Sequence, residues 1–174
     1  MTETVKDLSD SVNNLDIPTI NEQEDELTKL EKRNMALMKA LRAPFLPDKV
    51  KSRKQGGREL HYIDARLVMD RLDQLLGIGG WSNRFEFHGD RTLSYLTIKL
   101  PSGELVTKVD GAGDTNIEGE KGGLSDALKR SAVMFGIGRY LYSGVHPKAY
   151  YEAYQVAMKK KESTDVISQE EDKR

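Results

Sequence analysis

The amino-acid sequence predicts an α+β fold in which helices pack on a curved antiparallel sheet of three or more strands. Four separate segments repeat apolar residues at three- and four-residue steps, which is the spacing of an amphipathic helix. Between the second and third of these segments, three consecutive stretches alternate apolar and polar residues, which indicates strands. Short turns that contain glycine separate the three stretches, so we expect antiparallel pairing with one face of the sheet buried.

The first two predicted helices enclose a basic segment. The first helix spans 25–41 and stops before Pro44, because proline lacks a backbone N–H and its ring clashes with the preceding turn. The second spans 64–76 and ends at a run of glycines. Residues 43–58 lie between them and hold the densest cluster of positive charge, so we predict a basic loop with Gly56-Gly57 as its turn.

The three predicted strands cover residues 81–88, 93–100 and 104–111. In the second strand, Leu96 and Ile98 are expected to face the core, while the residues between them face away from it. These strands form a meander, which is the simplest antiparallel arrangement of consecutive strands.

The third predicted helix, 124–135, follows a glycine-rich acidic loop at 111–123. At about 100° per residue its apolar side chains fall on one side, and Lys129 and Arg130 fall on the other. Such a helix is suited to contact a phosphate backbone, with a merely solvated polar face as the alternative. A fourth helix is predicted over 147–161, where the tyrosines are expected to pack rather than to stack on bases.

Charge is distributed unevenly along the chain. The formal net charge is −1, but residues 29–161 hold 24 Lys and Arg against 15 Asp and Glu. A basic region between acidic ends is typical of a protein that meets a polyanion. We therefore predict one domain over residues 25–161 that binds DNA, flanked by disordered acidic tails at 1–24 and 162–174. Because its carboxylates repel phosphates, the first tail is expected to be dispensable for binding.

Composition restricts the cellular setting. The chain contains no cysteine, which excludes disulfides and thiolate metal sites and favours a reducing compartment. It has no secretory signal and no apolar segment of the length needed to span a bilayer, so no membrane association is expected. We expect a cytoplasmic location, in a bacterium or an infected host cell, and leave an organelle or a nucleus open.

Most enzyme classes have no support in the sequence. There is no phosphate-binding P-loop, and Gly136-Ile137-Gly138 follows a helix instead of opening one, so it does not bind a dinucleotide. The three histidines lack metal-ligand spacing. The remaining catalytic candidate is a magnesium-dependent nuclease that would use four carboxylates of the glycine-rich region: Asp110, Asp114, Glu118 and Glu120.

Three segments in a fixed order carry a family resemblance. They are KALRAPFLPDKVKSR at 39–53, GGRELHYIDARLVMDRLDQLLGIGGW at 56–81 and DALKRSAVMFGIGRYLY at 126–142. With these segments the chain resembles the Rad52/22 type of single-strand annealing protein, and in particular the bacterial and phage branch that includes the Sak and DdrA groups. The resemblance covers roughly residues 35–145.

The resemblance implies a fold, an activity and an assembly. Such proteins pack a twisted antiparallel sheet against a long helix, and single-stranded DNA lies in a basic groove between that core and a projecting hairpin. They anneal complementary strands in recombination and double-strand break repair without nucleotide hydrolysis or a cofactor. They assemble into homo-oligomeric rings or helical arrays. A single-strand-binding protein or a recombinase is a candidate partner.

The resemblance also implies which residues contact DNA. The family's inner Lys-Arg pair matches Lys129 and Arg130, and Val133 stands where eukaryotic members have a further arginine. A basic position of the second helix falls near Arg66, one residue before Leu67. The cations that we predict to contact DNA are, in full, Lys129, Arg130, Arg66, Arg139, Arg58, Lys54, Arg53, Lys99, Lys108 and Lys121.

Annealing also fits the composition on physical grounds. It requires affinity for phosphates without sequence readout, because base pairing between the two strands supplies the specificity. An aromatic content of 7% agrees with bases that are left open to a second strand. Three hypotheses follow: a non-enzymatic annealing protein, a divalent-metal nuclease, and a structural or adaptor protein of a phage whose basic region is incidental.

Overall fold

A computed structural model of the chain describes the backbone of residues 20–113 and 119–171, and the side chains of 25–113 and 122–161. The elements follow in this order: α1 Ile20–Arg42, a 3₁₀ turn Pro47–Lys49, β1 Lys51–Gln55, β2 Arg58–Tyr62, α2 Ala65–Leu76, β3 Trp81–His88, β4 Arg91–Lys99, β5 Leu105–Gly113, α3 Gly119–Phe135, a second 3₁₀ turn Arg139–Tyr142, and α4 Pro147–Glu171. This confirms the predicted α+β class. None of the helices in these ranges is long and apolar enough to cross a bilayer.

The five strands of the described ranges form two separate antiparallel sheets. The larger is the predicted meander, in the order β3-β4-β5, and β3 covers the predicted residues 81–88. Its central strand, β4, buries Thr92, Ser94, Leu96 and Ile98 on one face, as the period-two pattern of the sequence requires. The smaller sheet is a hairpin of β1 and β2.

The hairpin corrects the prediction of a basic loop over 43–58. Its turn is the predicted pair Gly56-Gly57, whose φ angles are +58° and +75°. Two positive φ angles in a two-residue turn match the right-handed twist of the flanking strands, and glycine adopts them without strain. All five residues of β1 are exposed, so the segment carries no apolar alternation by which a strand could be recognised.

Helices α1, α2 and α3 meet the buried face of the larger sheet in one core. It includes Leu41 from α1, Val68 and Leu72 from α2, Leu96 from β4 and Leu128 from α3. Among the described residues, the helices that complete this core pack on one side of the larger sheet, as predicted for this class.

Small side chains bring α3 close to β4. Ala127, Ser131 and Ala132 are fully buried on the inner side of the helix. The Ser131 hydroxyl lies 2.8 Å from that of Ser94, which in turn donates to Asn83 at 2.7 Å. This buried chain of hydrogen bonds satisfies the polar groups and fixes the rotation of α3 on the sheet.

Arg71 of α2 caps the carboxyl end of α1. Its guanidinium donates to the carbonyl oxygens of Ala40 at 3.0 Å and Ala43 at 2.8 Å, with a longer contact to Leu41. It also lies 4.1 Å from the centre of the Phe45 ring. Carbonyls at a helix end have no partner within the helix, so this one side chain satisfies several of them.

The outer parts of the predicted tails, residues 1–19 and 172–174, lie outside the described part of the chain. Helix α1 begins before the predicted domain start at residue 25, and α4 continues to Glu171, beyond the predicted end at Lys161. Helix α3 begins at Gly119, five residues before its predicted start. The domain boundaries at 25 and 161 stay predictions.

Gly80 offers a direct test of the packing between α2 and β3. A Cβ atom at Gly80 would lie 2.2 Å from the carbonyl oxygen of Leu76, whereas a Cβ atom at the neighbouring Gly79 would meet nothing within 4 Å. Replacing Gly80 with alanine is therefore expected to lower the free energy of unfolding by about 1–3 kcal/mol. Urea denaturation followed by the fluorescence of Trp81, the single tryptophan, measures this change.

Gly79→Ala is the matched control for this measurement. It is expected to leave the free energy of unfolding unchanged or to raise it by up to about 1 kcal/mol, because alanine restricts the unfolded chain. Equal denaturation midpoints for Gly80→Ala and Gly79→Ala would contradict the close approach of Gly80 to Leu76.

Candidate nucleic-acid interface

An open cleft of about 1360 Å³ lies between the hairpin and the body of the protein. The β1–β2 hairpin forms one wall, and the outward side of α3 with the segment 137–146 forms the other. The turn between β3 and β4 and the end of β5 also line it. The hairpin, which the apolar pattern of the sequence did not locate, thus forms one wall of an open concave surface.

Five cations from four elements line this cleft. They are Arg53 and Arg58 of the hairpin, Arg91 at the start of β4, and Lys129 and Arg130 of α3. Four of the five belong to the predicted set of DNA-contacting residues. Arg91 was not predicted, because nothing in its local sequence distinguishes it from other surface arginines; only the β3–β4 turn brings it to the cleft.

The orientation of Lys129 and Arg130 follows from the packing of α3. Leu128, Ser131 and Ala132 turn toward the sheet, so the two cations project on the other side. The Lys129 side chain is 26% exposed and that of Arg130 is 53% exposed. Both are therefore accessible from the cleft, and Lys129 lies deeper.

Lys129 and Arg130 each form an ion pair with a carboxylate. Arg130 donates from Nε to Oδ1 of Asp110 at 3.1 Å, and its Nη2 lies 3.1 Å from the same oxygen. Lys129 Nζ lies 2.7 Å from Oδ1 of Asp126, one helical turn earlier. Both carboxylates also line the cleft, so the positive charge of Lys129 and Arg130 is partly compensated.

The other three cations of the cleft have no such pairs among the described residues. Within the described part of the chain, Arg53, Arg58 and Arg91 form no ion pair. The Arg53 guanidinium lies 5.8 Å from the centre of the Tyr62 ring, and Lys129 approaches the same ring at 5.8 Å. Tyr62, at the base of β2, therefore lies between a hairpin cation and a helix cation.

Two contacts hold the base of the hairpin against the body. Lys51 of β1 donates to Asp64, the residue before α2, at 2.5 Å. This hydrogen bond lowers the pKa of the Asp64 carboxyl below its ordinary value, and the charge of Lys51 adds to the effect. The rings of His61 and His146 meet edge to face with their centres 5.1 Å apart. The hairpin is thus positioned at its base, while its tip is exposed.

Two predicted cations cap the carboxyl end of α3 instead of lining the cleft. Arg139 donates to the carbonyl oxygens of Val133 and Met134 at distances between 2.7 and 2.9 Å. Lys108 donates to the Met134 carbonyl at 2.9 Å and lies over the Phe135 ring. Cations at this end are favoured by the helix dipole, so a structural role accounts for both.

The remaining predicted cations lie elsewhere. Arg66 and Lys54 are exposed but do not line the cleft, and Lys99 borders a separate apolar groove formed with α1 and the end of α2. The side chain of Lys121 lies outside the described residues. The geometry therefore gathers four of the ten predicted cations into one surface.

The carboxylates of the nuclease hypothesis are only partly described. Asp110 is engaged by Arg130, while Asp114 and Glu118, and the side chain of Glu120, lie outside the described residues. Over residues 25–113 and 122–161, no three His, Asp or Glu side chains are grouped closely enough to hold a metal ion.

Comparison with known proteins agrees with the resemblance read from the sequence. The model of the Rad52/22 family of double-strand break repair proteins matches residues 33–93 and 97–162. The chain belongs to the Rad52/22 family. The two matched ranges include the hairpin, most of the meander and all of the described α3, so every cation of the cleft falls within the Rad52/22 match.

Two curated relatives of the chain share one name, single-stranded DNA-binding protein DdrA. The chain is similar to the single-stranded DNA-binding protein DdrA of Deinococcus radiodurans, with 33% identity over 123 residues, which is 67% of this chain and 56% of that protein. It is 36% identical over 121 residues to DdrA of Deinococcus deserti, covering 67% of this chain and 58% of the relative. The matched part thus spans little more than half the length of either relative.

Proposed function

We propose that this Rad52/22 protein binds single-stranded DNA in the cleft and anneals complementary strands in recombination and repair, without nucleotide hydrolysis. The convergence of Arg53, Arg58, Arg91, Lys129 and Arg130 on one open surface carries the proposal. Lysine and arginine contacts to phosphates bind a strand without reading its sequence. The two DdrA relatives are named single-stranded DNA-binding proteins, which supports single-stranded DNA as the ligand.

The lining of the cleft suits annealing better than tight base stacking. Tyr62 and Tyr142 are the aromatic side chains other than histidine among the described residues of the cleft. Proteins that hold single strands by stacking use successive aromatic platforms. With few platforms, contacts concentrate on the phosphates, and the bases of the bound strand remain open to pairing.

An oligomer is part of the proposal. Each protomer offers five cations, two of which are already paired with carboxylates. Repeating the cleft around a ring or along a helical array multiplies such contacts on one strand and raises affinity through effective concentration.

We place the DNA-binding domain at residues 25–161, with the rest of the chain as acidic tails.

An annealing assay tests the function. Two complementary oligonucleotides, one with a fluorophore and one with a quencher, are mixed with the protein in EDTA and without nucleotide. The protein is expected to accelerate quenching, and the acceleration should fall steeply with salt because phosphate contacts release counterions. Light scattering on the same sample measures the oligomer.

Two results would contradict the proposal. In the first, the folded protein binds the strands at low salt but does not accelerate their annealing, so it binds DNA without annealing activity. Cleavage of the strands that depends on added Mg²⁺ would instead support the nuclease hypothesis. The comparison of EDTA with Mg²⁺ in one experiment separates the two activities.

A further inference from the structure

The two cations of α3 in the cleft, Lys129 and Arg130, differ from the three arginines that also line it. Lys129 and Arg130 each contact a carboxylate that also lines the cleft, at 2.7 and 3.1 Å. Within the described residues, Arg53, Arg58 and Arg91 have no ionic partner. A phosphate can approach these three arginines directly, but at Lys129 and Arg130 it meets a cation that is already paired.

Asp110 is held in place independently of Arg130. Its Oδ1 accepts a hydrogen bond from the backbone N–H of Gly111 at 2.7 Å, and Asp110 belongs to the paired strand β5. Its side chain is 32% exposed. When Arg130 turns toward a phosphate, this carboxylate remains where it is, and its pairing with Arg130 is broken or shared.

Asp126 has the same relation to Lys129 through the helix. The two residues are three positions apart on α3, so their side chains lie on one side of it. The ammonium group of Lys129 has three donors, and its nitrogen lies 2.7 Å from Oδ1 of Asp126. A phosphate that binds Lys129 therefore competes with Asp126, which lies on the same helix.

We propose that Asp110 and Asp126 limit the affinity of the cleft, because a DNA phosphate must replace a carboxylate on Arg130 and on Lys129. This inference rests on the proposed function, since it requires that both cations contact DNA. Binding of a phosphate to Lys129 or Arg130 is then an exchange of one anion for another. The free energy needed to displace the two aspartates reduces the free energy gained from the phosphate contacts, and so lowers the net affinity of the cleft for DNA.

Asparagine substitutions test the exchange. Asp110→Asn and Asp126→Asn remove one charge each but keep the shape of the side chain, and the amide oxygen introduced by Asp110→Asn can still accept from the Gly111 N–H. Each variant is expected to bind labelled oligothymidylate about two- to fivefold more tightly, the equivalent of one exposed ion pair. Fluorescence anisotropy at fixed salt measures the affinity, and a thermal melt checks the fold.

Asp48→Asn is the matched control for the change of charge. Asp48 pairs with Lys49 at 3.6 Å on the surface and does not line the cleft. The substitution removes the same charge from the protein, so its affinity is expected to equal that of the wild type. An equal gain for Asp48→Asn would show a general effect of net charge and would overturn the inference.

A double-mutant cycle with Arg130→Ala separates exchange from repulsion. If Asp110 acts by occupying Arg130, the gain from Asp110→Asn should disappear in the Arg130→Ala background. A gain that persists there would overturn the inference while leaving the proposed function intact. If Arg130→Ala alone binds like the wild type, Arg130 does not contact DNA, and both the proposed contact and the inference for Asp110 fail.

Discussion

Replacing Lys129 and Arg130 together with alanine is expected to weaken binding of single-stranded DNA roughly 10- to 100-fold at constant salt. A hydrogen bond to a charged group contributes about 1.5–3 kcal/mol, and giving up the pairs with Asp110 and Asp126 offsets part of it. The slope of log affinity against log salt should fall by about 0.7 for each phosphate that the variant no longer binds. A salt titration by fluorescence anisotropy measures both quantities.

Lys29→Ala with Lys49→Ala is the matched control. These lysines also pair with nearby carboxylates, Glu26 and Asp48, but do not line the cleft. The same loss of charge there should leave the affinity and the slope unchanged. If the Lys129 and Arg130 double variant binds like the wild type across the titration, this side of α3 is only a solvated surface. The oligomer must be sized alongside, because loss of binding through dissociation would assign the pair to a subunit interface.

Replacing Arg71 with methionine is expected to lower the free energy of unfolding by about 2–4 kcal/mol. Methionine keeps most of the apolar stem but removes the donor from the half-buried carbonyl of Ala43, and a desolvated carbonyl without a partner costs about 1–3 kcal/mol. The Ala40 carbonyl loses the guanidinium but keeps the backbone N–H of Ala43 at 3.3 Å. The substitution also removes the cation from the face of the Phe45 ring. Urea denaturation and thermal melting measure the change.

Arg66→Met is the control on the same helix. Arg66 is exposed, and surface substitutions usually change stability by no more than about 0.5 kcal/mol. Arg71→Lys should restore part of the stability, because an ammonium group can donate to the carbonyls without the planar geometry of the guanidinium. A wild-type free energy of unfolding for Arg71→Met would contradict the capping of α1 by this residue.

The elements that form the core could be predicted from the sequence because their side chains alternate between two environments. Helix α2 and strand β3 have a more buried and a more exposed side, and their apolar spacing marks both elements within a residue or two. The buried side of α3 follows from the same spacing, and with it the outward direction of Lys129 and Arg130. The hairpin could not be found this way, because both sides of β1 face solvent.

Residues of the candidate site could be predicted from the sequence only where a charged side chain is also exposed in the fold. Lys108 and Arg139 look like surface cations in the sequence, but their partners are carbonyl oxygens that only the folded end of α3 presents. The pairing of Arg130 with Asp110 joins residues twenty positions apart on a helix and a strand. Such contacts depend on the packing of elements, which local sequence does not encode.

The two walls of the cleft differ in how firmly they are attached to the body of the protein. An isolated two-stranded hairpin is marginally stable in water, and this one is attached to the body near its base, through residues such as Lys51 and His61. The opposite wall, α3, is joined to the sheet by the buried serine contact and the core. Local opening is cheapest where few apolar groups are buried. Local opening of the hairpin wall is therefore expected to cost less free energy than opening of the α3 wall, and it would leave the core packing intact.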